Sequence, residues 1–379
     1  MGNKFFDEVK KNFGFGLMRL PMMDKKVDIE QTKQMVDIFI ENGFNYFDTA
    51  HGYIDGMSET AFRECVAERY DRNQYTITNK LTEPYFQKEE DIIPFFESQL
   101  EACGVDYFDF YLMHAQDSDN YPKFKKCRAY ETGLKLKEMG KIKHFGLSFH
   151  DTPEVLDQIL TDYPQVEVVQ IQLNYLDYEN PSVQGKGCYD VCVKHGKPCI
   201  IMEPVKGGHL ANIPDSAAKV FDELQKDEKQ KKSYASYAVR YTASFPNVFM
   251  VISGMSTLEQ MEDNISYMKD FKPIDEKEKD AIDEVIKIYG SINMVPCTAC
   301  RYCVTDSECP MKIQIPEIFS CYNQRVMYND WNQQMYYGVI TRDHGKASEC
   351  IKCGKCENIC PQHLPIRNLL EDVAKEFEK

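Results

Sequence analysis

The sequence predicts an α/β chain, a TIM (β/α)8 barrel over residues 1–290 followed by a small, mostly α-helical domain over residues 291–379. Three observations carry that prediction. Eight short apolar runs alternate with amphipathic stretches, as parallel strands do when a helix follows each. The chain is 379 residues long and 43% hydrophobic, which suits one barrel of about 250 residues and a small appendage. Past residue 290 the alternation stops and two dense cysteine runs replace it.

Strands are expected at Phe13–Leu17, Phe44–Asp48, Tyr75–Lys80, Phe108–His114, Lys143–Ser148, Glu167–Leu173, Pro198–Met202 and Val248–Ser253. Helical periodicity lies between them, at Ile29–Asn42, Ser58–Tyr70, Glu89–Cys103, Lys125–Met139, Pro153–Tyr163, Lys186–His195 and Leu258–Met268. Ser233–Ser244 belongs with the seventh unit. The charged run Asp275–Asp280 opens one more helix, with a solvated face, ending near Gly290. No internal repeat or low-complexity tract is visible. In the tail, Ile313–Trp331, Gln333–Ile340 and Ile366–Phe377 read as helices. Tyr322, Tyr328, Trp331, Tyr336 and Tyr337 read as packing aromatics.

A net charge of −15 and the lack of a basic stripe argue against nucleic acid as a partner. No run of 18 apolar residues is present, so no membrane span is expected. The opening Met1–Phe6 has no secretory apolar core, and fifteen cysteines then point to a reducing cytoplasm.

The cysteine runs are Cys297-x2-Cys300-x2-Cys303-x5-Cys309-Pro310 and Cys350-x2-Cys353-x2-Cys356-x3-Cys360-Pro361. Three thiolates at every third position wrap one face of a cubic cluster, and the fourth, ahead of proline, arrives from elsewhere. The second run has the bacterial [4Fe–4S] spacing, in which the fourth cysteine serves the other cluster. Two [4Fe–4S] clusters are therefore expected, one on Cys297, Cys300, Cys303 and Cys360, the other on Cys350, Cys353, Cys356 and Cys309. The five-residue gap before Cys309 departs from that spacing. Eight thiolates would also serve two zinc ions, so the triplets rather than the ligand type select iron. Cys65, Cys103, Cys127, Cys188, Cys192, Cys199 and Cys321 read as small buried hydrophobes.

In a barrel the chemistry gathers where strands end. Asp48 ends the second strand, Tyr53 lies in the next loop, Lys80 ends the third and His114 the fourth. A phenol ionising at about pH 10 is a weak acid near neutrality. An adjacent ammonium should lower that value, and a buried carboxylate should keep the lysine charged. A histidine can position a carbonyl oxygen. Together the four form a proton-donating group for a carbonyl reduced by hydride.

Phe47-Asp48-Thr49-Ala50-x2-Tyr53 with Ser58-Glu59, then Thr78-Asn79-Lys80 and Tyr111-Leu112-Met113-His114, resemble the signature of the aldo/keto reductases, in order over roughly residues 13–268. The tail resembles two-cluster bacterial ferredoxins, and the combination resembles a subgroup of that family with a C-terminal ferredoxin-like domain. The resemblance implies NADP(H) or NAD(H) as cofactor, with Tyr53 as proton donor and Lys80, Asp48 and His114 as its tuning partners. It also implies nucleotide contacts at Gly16, Met18, Ser148, Gln170, Met202, Lys206, Gly254, Ser256, Gln260 and Asn264. Phe149, Met202 and Ser256 depart from the family. They stand where an asparagine, a ring-stacking tyrosine and a 2′-phosphate-binding arginine are usual, which leaves NADPH against NADH open.

Hydride carries two electrons and each cluster takes one. No flavin motif is identified that would bridge them. Three readings follow. The barrel reduces a small-molecule carbonyl while the clusters are structural or relay electrons; or a ferredoxin or other carrier feeds electrons through the clusters to the barrel mouth; or the chain is a non-catalytic electron-transfer adaptor. The first is preferred. The loops Glu83–Phe86, Ala115–Phe124 and Leu176–Gln184 are expected to shape substrate choice.

Overall fold

The computed structural model describes residues 5–180, 183–292, 294–307, 309–328 and 332–378. The start of the Met1–Phe6 segment, the Trp331 end of the first tail helix and the Tyr328 side chain lie outside what is described. Eight strands form the barrel: β1 (Phe13–Gly16), β2 (Tyr46–Asp48), β3 (Thr76–Leu81), β4 (Phe108–Gln116), β5 (Ile142–Phe149), β6 (Val168–Gln172), β7 (Cys199–Met202) and β8 (Val248–Gly254). Each pairs in parallel with its sequence neighbours, and β8 returns to β1 to close the barrel. Both faces of these strands are buried, which explains their continuous apolar character.

The N-terminal end of the barrel is filled. Phe6 lies 5.1 Å from the Phe110 ring and 4.9 Å from the Phe249 ring, with Val9, Tyr46, Val168 and Ile200 around them. Side chains thus plug one mouth and leave the chemistry to the other. Phe249→Ala is expected to cost about 3–5 kcal/mol of stability, measured by urea unfolding of the holoprotein.

Three details differ from the sequence reading. Met22–Met23 and Lys26–Val27 form a small antiparallel hairpin, closed by Asp24 and Lys25 at φ 50° and 64°. Two-residue strands are too short to leave a periodic signal. The helix expected at Lys125–Met139 is two helices, Tyr121–Lys126 and Ala129–Glu138, because Arg128 at φ 53° breaks the helical path. A further helix, Asp215–Leu224, buries Phe221 in a stack with Tyr237 at 4.1 Å. No helix among the described residues is long and apolar enough to cross a membrane.

The chain divides into two compact units. Met1–Glu179, Gln184–Pro204 and Ala238–Ile274 hold the whole barrel. Asn180–Val183, Val205–Tyr237 and Asp275–Lys379 form the other, so the segment after β7 packs with the cysteine-rich tail.

That second unit contains a duplication not visible in the sequence reading. Ala299 and Arg301, two and four residues past Cys297, have φ of 53° and 73°; Lys352 and Gly354, at the same offsets from Cys350, have 58° and 78°. Lys312 and His363, each three residues past a Cys-Pro corner, have 55° and 49°. Helices Ile315–Tyr328 and Ile366–Phe377 start six residues beyond the corner cysteine in both halves. A core of Ile313, Ile315, Phe319, Leu364, Ile366 and Leu370 joins the halves.

Candidate active site

Lys80 is fully buried just inside the end of β3, and its Nζ is the hub of the barrel's open mouth. It donates to Asp48 Oδ1 at 2.7 Å, to the Thr49 carbonyl at 2.8 Å and to the Tyr53 hydroxyl at 3.3 Å. The pairing of Asp48 with Thr78 sets this geometry, since Lys80 is the next residue on the same face of β3. Gln170 on β6 donates to the other carboxylate oxygen of Asp48 at 3.3 Å. Burial raises the Asp48 pKa and lowers that of Lys80, while each partner opposes the other's shift.

Tyr53 is presented by a wound loop. Its N–H donates to the Ala50 carbonyl at 3.0 Å, and its own carbonyl accepts from Gly56 and Ser58 at 3.1 and 3.3 Å. Ile54 and Asp55 both sit at φ 52°, a costly conformation for a branched side chain. Tyr53 and His114 are partly exposed above the buried Asp48–Lys80 pair, with their rings 6.0 Å apart. His114 Nδ1 lies 2.8 Å from Thr82 Oγ1. Burial, then Lys80 and His150, hold its pKa well below the ordinary histidine value, so the ring is neutral near pH 7.

One expectation is reversed. The Tyr53 pKa is pushed well above that of a free phenol, by burial first and then by the Asp48 and Glu203 carboxylates. Burial and the two carboxylates outweigh the Lys80 ammonium, which is itself held by Asp48 and the Thr49 carbonyl. Because Lys80 donates to the phenol oxygen, the phenolic proton is left to point elsewhere.

Behind this group lies a polar cluster that the sequence did not reveal. Glu59 is 1% exposed and accepts from Asn79 at 2.8 Å and Gln99 at 3.2 Å, with His51 Nδ1 at 2.7 Å. Gln99 also donates to the Lys80 carbonyl at 3.1 Å and accepts from Tyr111 at 2.6 Å. His51 and Glu59 flank Tyr53 in the chain, so the pair staples the loop to β3. The only sequence signal was Glu59 within the quoted motif.

The residues expected to hold the nucleotide fall into two groups. Gly16 and Gly254 are register partners at the ends of β1 and β8. The Arg19 side chain lies along Gly254, 3.2 Å from where a Cβ would stand, and approaches Glu203 at 3.9 Å. Met18 is in the turn after β1, and Met202 ends β7 beside Gln172. The Ser148 hydroxyl accepts from the Ala115 N–H at 2.7 Å. Ser256 donates to the Arg19 carbonyl at 2.8 Å, and its N–H is capped by Gln260 at 2.8 Å. Asn264 donates to Ser253 at 3.1 Å. Lys206, 3% exposed, belongs instead to the unit that carries the cysteine runs. Arg19 and Glu203 were missed because nothing local marks them.

In the second unit the eight cysteines of the two runs line two cavities. Cys297, Cys300, Cys303 and Cys360 surround one; Cys309, Cys350, Cys353 and Cys356 surround the other. Each set takes its fourth member from the other run. Among the described residues no three His, Cys, Asp or Glu side chains gather as a single-ion site. Burial, then Cys350, pushes the Cys356 thiol up to about 11. Cys353 is exposed beside Ile351, which is 58% exposed, whereas Cys303 is buried. The other seven cysteines are all buried, as small hydrophobes should be.

Comparison with known proteins follows the same division. Residues 12–287 match the aldo/keto reductase family, and residues 296–365 match the 4Fe-4S dicluster domain. A Schizosaccharomyces pombe putative voltage-gated potassium channel subunit beta is 24% identical, over 68% of this chain and 85% of its own. An aldo-keto reductase of Mycolicibacterium vanbaalenii is 26% identical over 62% of this chain and 77% of its own, and the glyoxal reductase of Bacillus subtilis 26% over 60% and 73%. An aldo-keto reductase of Klebsiella pneumoniae, solved with NADPH, superposes with a TM-score of 0.58 at 18% identity, covering 73% of this chain and 90% of that one. One from Bacillus halodurans, in holo form, gives 0.58 at 21% identity, covering 73% and 92%. The chain is therefore an oxidoreductase of the aldo/keto reductase family, its barrel joined to a C-terminal 4Fe-4S dicluster domain.

Proposed function

We propose that the barrel reduces the carbonyl of a small molecule with a nicotinamide nucleotide, and that Tyr53 supplies the proton. The observation that carries this reading is the Lys80 ammonium, held by Asp48 at 2.7 Å and donating to the Tyr53 oxygen at 3.3 Å. The raised phenol keeps its proton until a substrate oxygen takes it. As it leaves, the Lys80 N–H already faces the oxygen where negative charge develops, so the stabilisation acts in the transition state. Neutral His114, fixed through Nδ1 by Thr82, can orient the same carbonyl in the tautomer that carries its proton on Nε2.

The nucleotide supplies the hydride when bound. The donor set at the rim suits its carboxamide: Ser148 keeps a hydroxyl proton to give, and Gln170 keeps an amide oxygen to accept. Arg19 beside Gly254 suits an anionic group. NADPH in the Klebsiella pneumoniae relative supports the same cofactor class here. Lys206, Met18, Met202, Ser256, Gln260 and Asn264 are assigned to the nucleotide by the family resemblance.

The two cysteine-lined cavities support two [4Fe–4S] clusters with exchanged corner ligands, Cys360 with Cys297, Cys300 and Cys303, and Cys309 with Cys350, Cys353 and Cys356. Four sulfurs around a cavity suit a cube better than one ion. The exposed Cys353 edge favours a second reading, in which a one-electron carrier exchanges electrons at that cluster. The anaerobic holoprotein, mixed with NADPH or NADH and a panel of aldehydes and ketones, should consume nucleotide and form alcohol one to one. Reduction that proceeds only with dithionite-reduced clusters and no nucleotide would replace the first reading with the second.

A further inference from the structure

Strand β4 does not end regularly. Its register with β5 shifts between Met113 and Gln116, and Ala115 sits at φ 49°. Such an irregularity re-aims the side chain beside it, here His114. The backbone is then pinned, because Gln116 Nε2 donates to the His114 carbonyl at 3.0 Å. The ring meets the Thr82 hydroxyl, 2.8 Å from Nδ1. A neutral imidazole carries one ring proton. That proton lies on Nδ1 if the hydroxyl accepts, and on Nε2 if the hydroxyl donates.

Thr82 has a single hydroxyl proton and two acceptors within reach of it. The other acceptor is the Lys80 carbonyl at 3.4 Å, beyond the ordinary range of an O–H···O bond. That carbonyl is already served by Gln99 Nε2 at 3.1 Å. The Gln99 amide cannot be turned round. Its Nε2 also faces the Glu59 carboxylate at 3.2 Å and Asn79 Oδ1 at 3.1 Å, both acceptors, while Tyr111 donates to its Oε1 at 2.6 Å. Gln99 and Glu59 are 0% and 1% exposed, and every residue in this chain of contacts belongs to the barrel unit.

We propose that Gln99, by serving the Lys80 carbonyl, reserves the Thr82 hydroxyl for His114 Nδ1 and so fixes the proton of the neutral ring on Nε2. Gln99 and Thr82 are then positioning residues, acting on the reaction through His114. The inference deepens the carbonyl-reduction reading and rests on it. It also gives the polar cluster behind the site a task, since the hydrogen bond made by one ring nitrogen decides which nitrogen keeps the proton. With an apolar side chain at position 99 the Lys80 carbonyl would lose its donor, and the Thr82 hydroxyl would turn to it. The ring proton would then sit on Nδ1, leaving Nε2 with a lone pair that repels a carbonyl oxygen.

The test uses anaerobic holoprotein containing histidine labelled with nitrogen-15, its clusters oxidised. Long-range proton–nitrogen spectra separate a protonated from a bare ring nitrogen, and His114→Gln assigns the signals. The wild-type ring is expected to carry its proton on Nε2. Thr82→Val should mix the two forms and lower kcat about fivefold, the usual worth of one hydrogen bond, with KM for the nucleotide unchanged. Thr82→Ser, which keeps the hydroxyl, should restore both. Gln99→Met should mix the forms as Thr82→Val does; should it fail to fold, Gln99→Asn, too short to reach the Lys80 carbonyl, takes its place. A wild-type proton on Nδ1 overturns the proposal, as does an unaltered tautomer in Thr82→Val or in the folded Gln99 variant. Mixed forms in Thr82→Val at unchanged kcat uphold the tautomer assignment and overturn the part of His114 in carbonyl reduction.

Discussion

Tyr53→Phe should lower carbonyl reduction by about 10²–10⁴-fold, the usual worth of a positioned general acid, while nucleotide binding stays near wild type. Lys80→Met should lose activity as well and, unlike Tyr53→Phe, should destabilise the fold by about 3–5 kcal/mol. It strands the buried Asp48 carboxylate, which is 3% exposed. Adding Asp48→Asn to Lys80→Met should recover most of that stability but none of the rate. Separate unfolding and kinetic measurements therefore divide the ion pair's structural role from its chemical one. The pH profile carries a sign of its own. Because burial and two carboxylates raise the phenol, its ionisation should not limit the rate below about pH 10. Because burial keeps His114 neutral, no inflection is expected near pH 6.5. A profile that falls between pH 6 and 7 and is flattened by His114→Gln would count against the neutral histidine.

The second large effect concerns the corners. Cys309→Ser should reduce iron from roughly eight to roughly four per chain. Cys309→Ser with Cys353→Ser should lose no more iron, since both line the same cavity. Cys309→Ser with Cys300→Ser should lose nearly all of it, because Cys300 lines the other. The reverse pattern, with Cys309 and Cys300 acting as one set, would mean that each run closes its own cluster. Iron assay and EPR of anaerobically purified variants decide between the two.

Much of the fold was legible because parallel strands buried on both faces leave uninterrupted apolar runs. All eight barrel strands carry, at or within two residues of their C-terminal ends, a residue that was singled out in advance, from Gly16 on β1 to Gly254 on β8. Lys80 and Asp48 could be paired in advance because strand register alone brings them together. The sense of the Tyr53 shift could not, because it depends first on burial and then on Asp48 and on Glu203, 150 residues away in the chain. Glu59 and His51 were hidden for the same reason, since burial of a carboxylate is a three-dimensional fact. The helix break at Arg128 and the hairpin at Asp24–Lys25 rest on single backbone angles that the side chains do not announce. The duplication in the tail was masked by the longer spacer before Cys309, although the backbone repeats the same turns on either side of it.

That repeat has a consequence for assembly. Each half offers three sulfurs to its own cavity and lends its proline-flanked corner to its twin, so a fragment ending between Thr341 and Lys346 would possess no finished coordination shell. Metallation is then cooperative by construction. Iron loaded on one side stiffens the corner that the opposite side requires, so each filled cavity should tighten the hold of its twin.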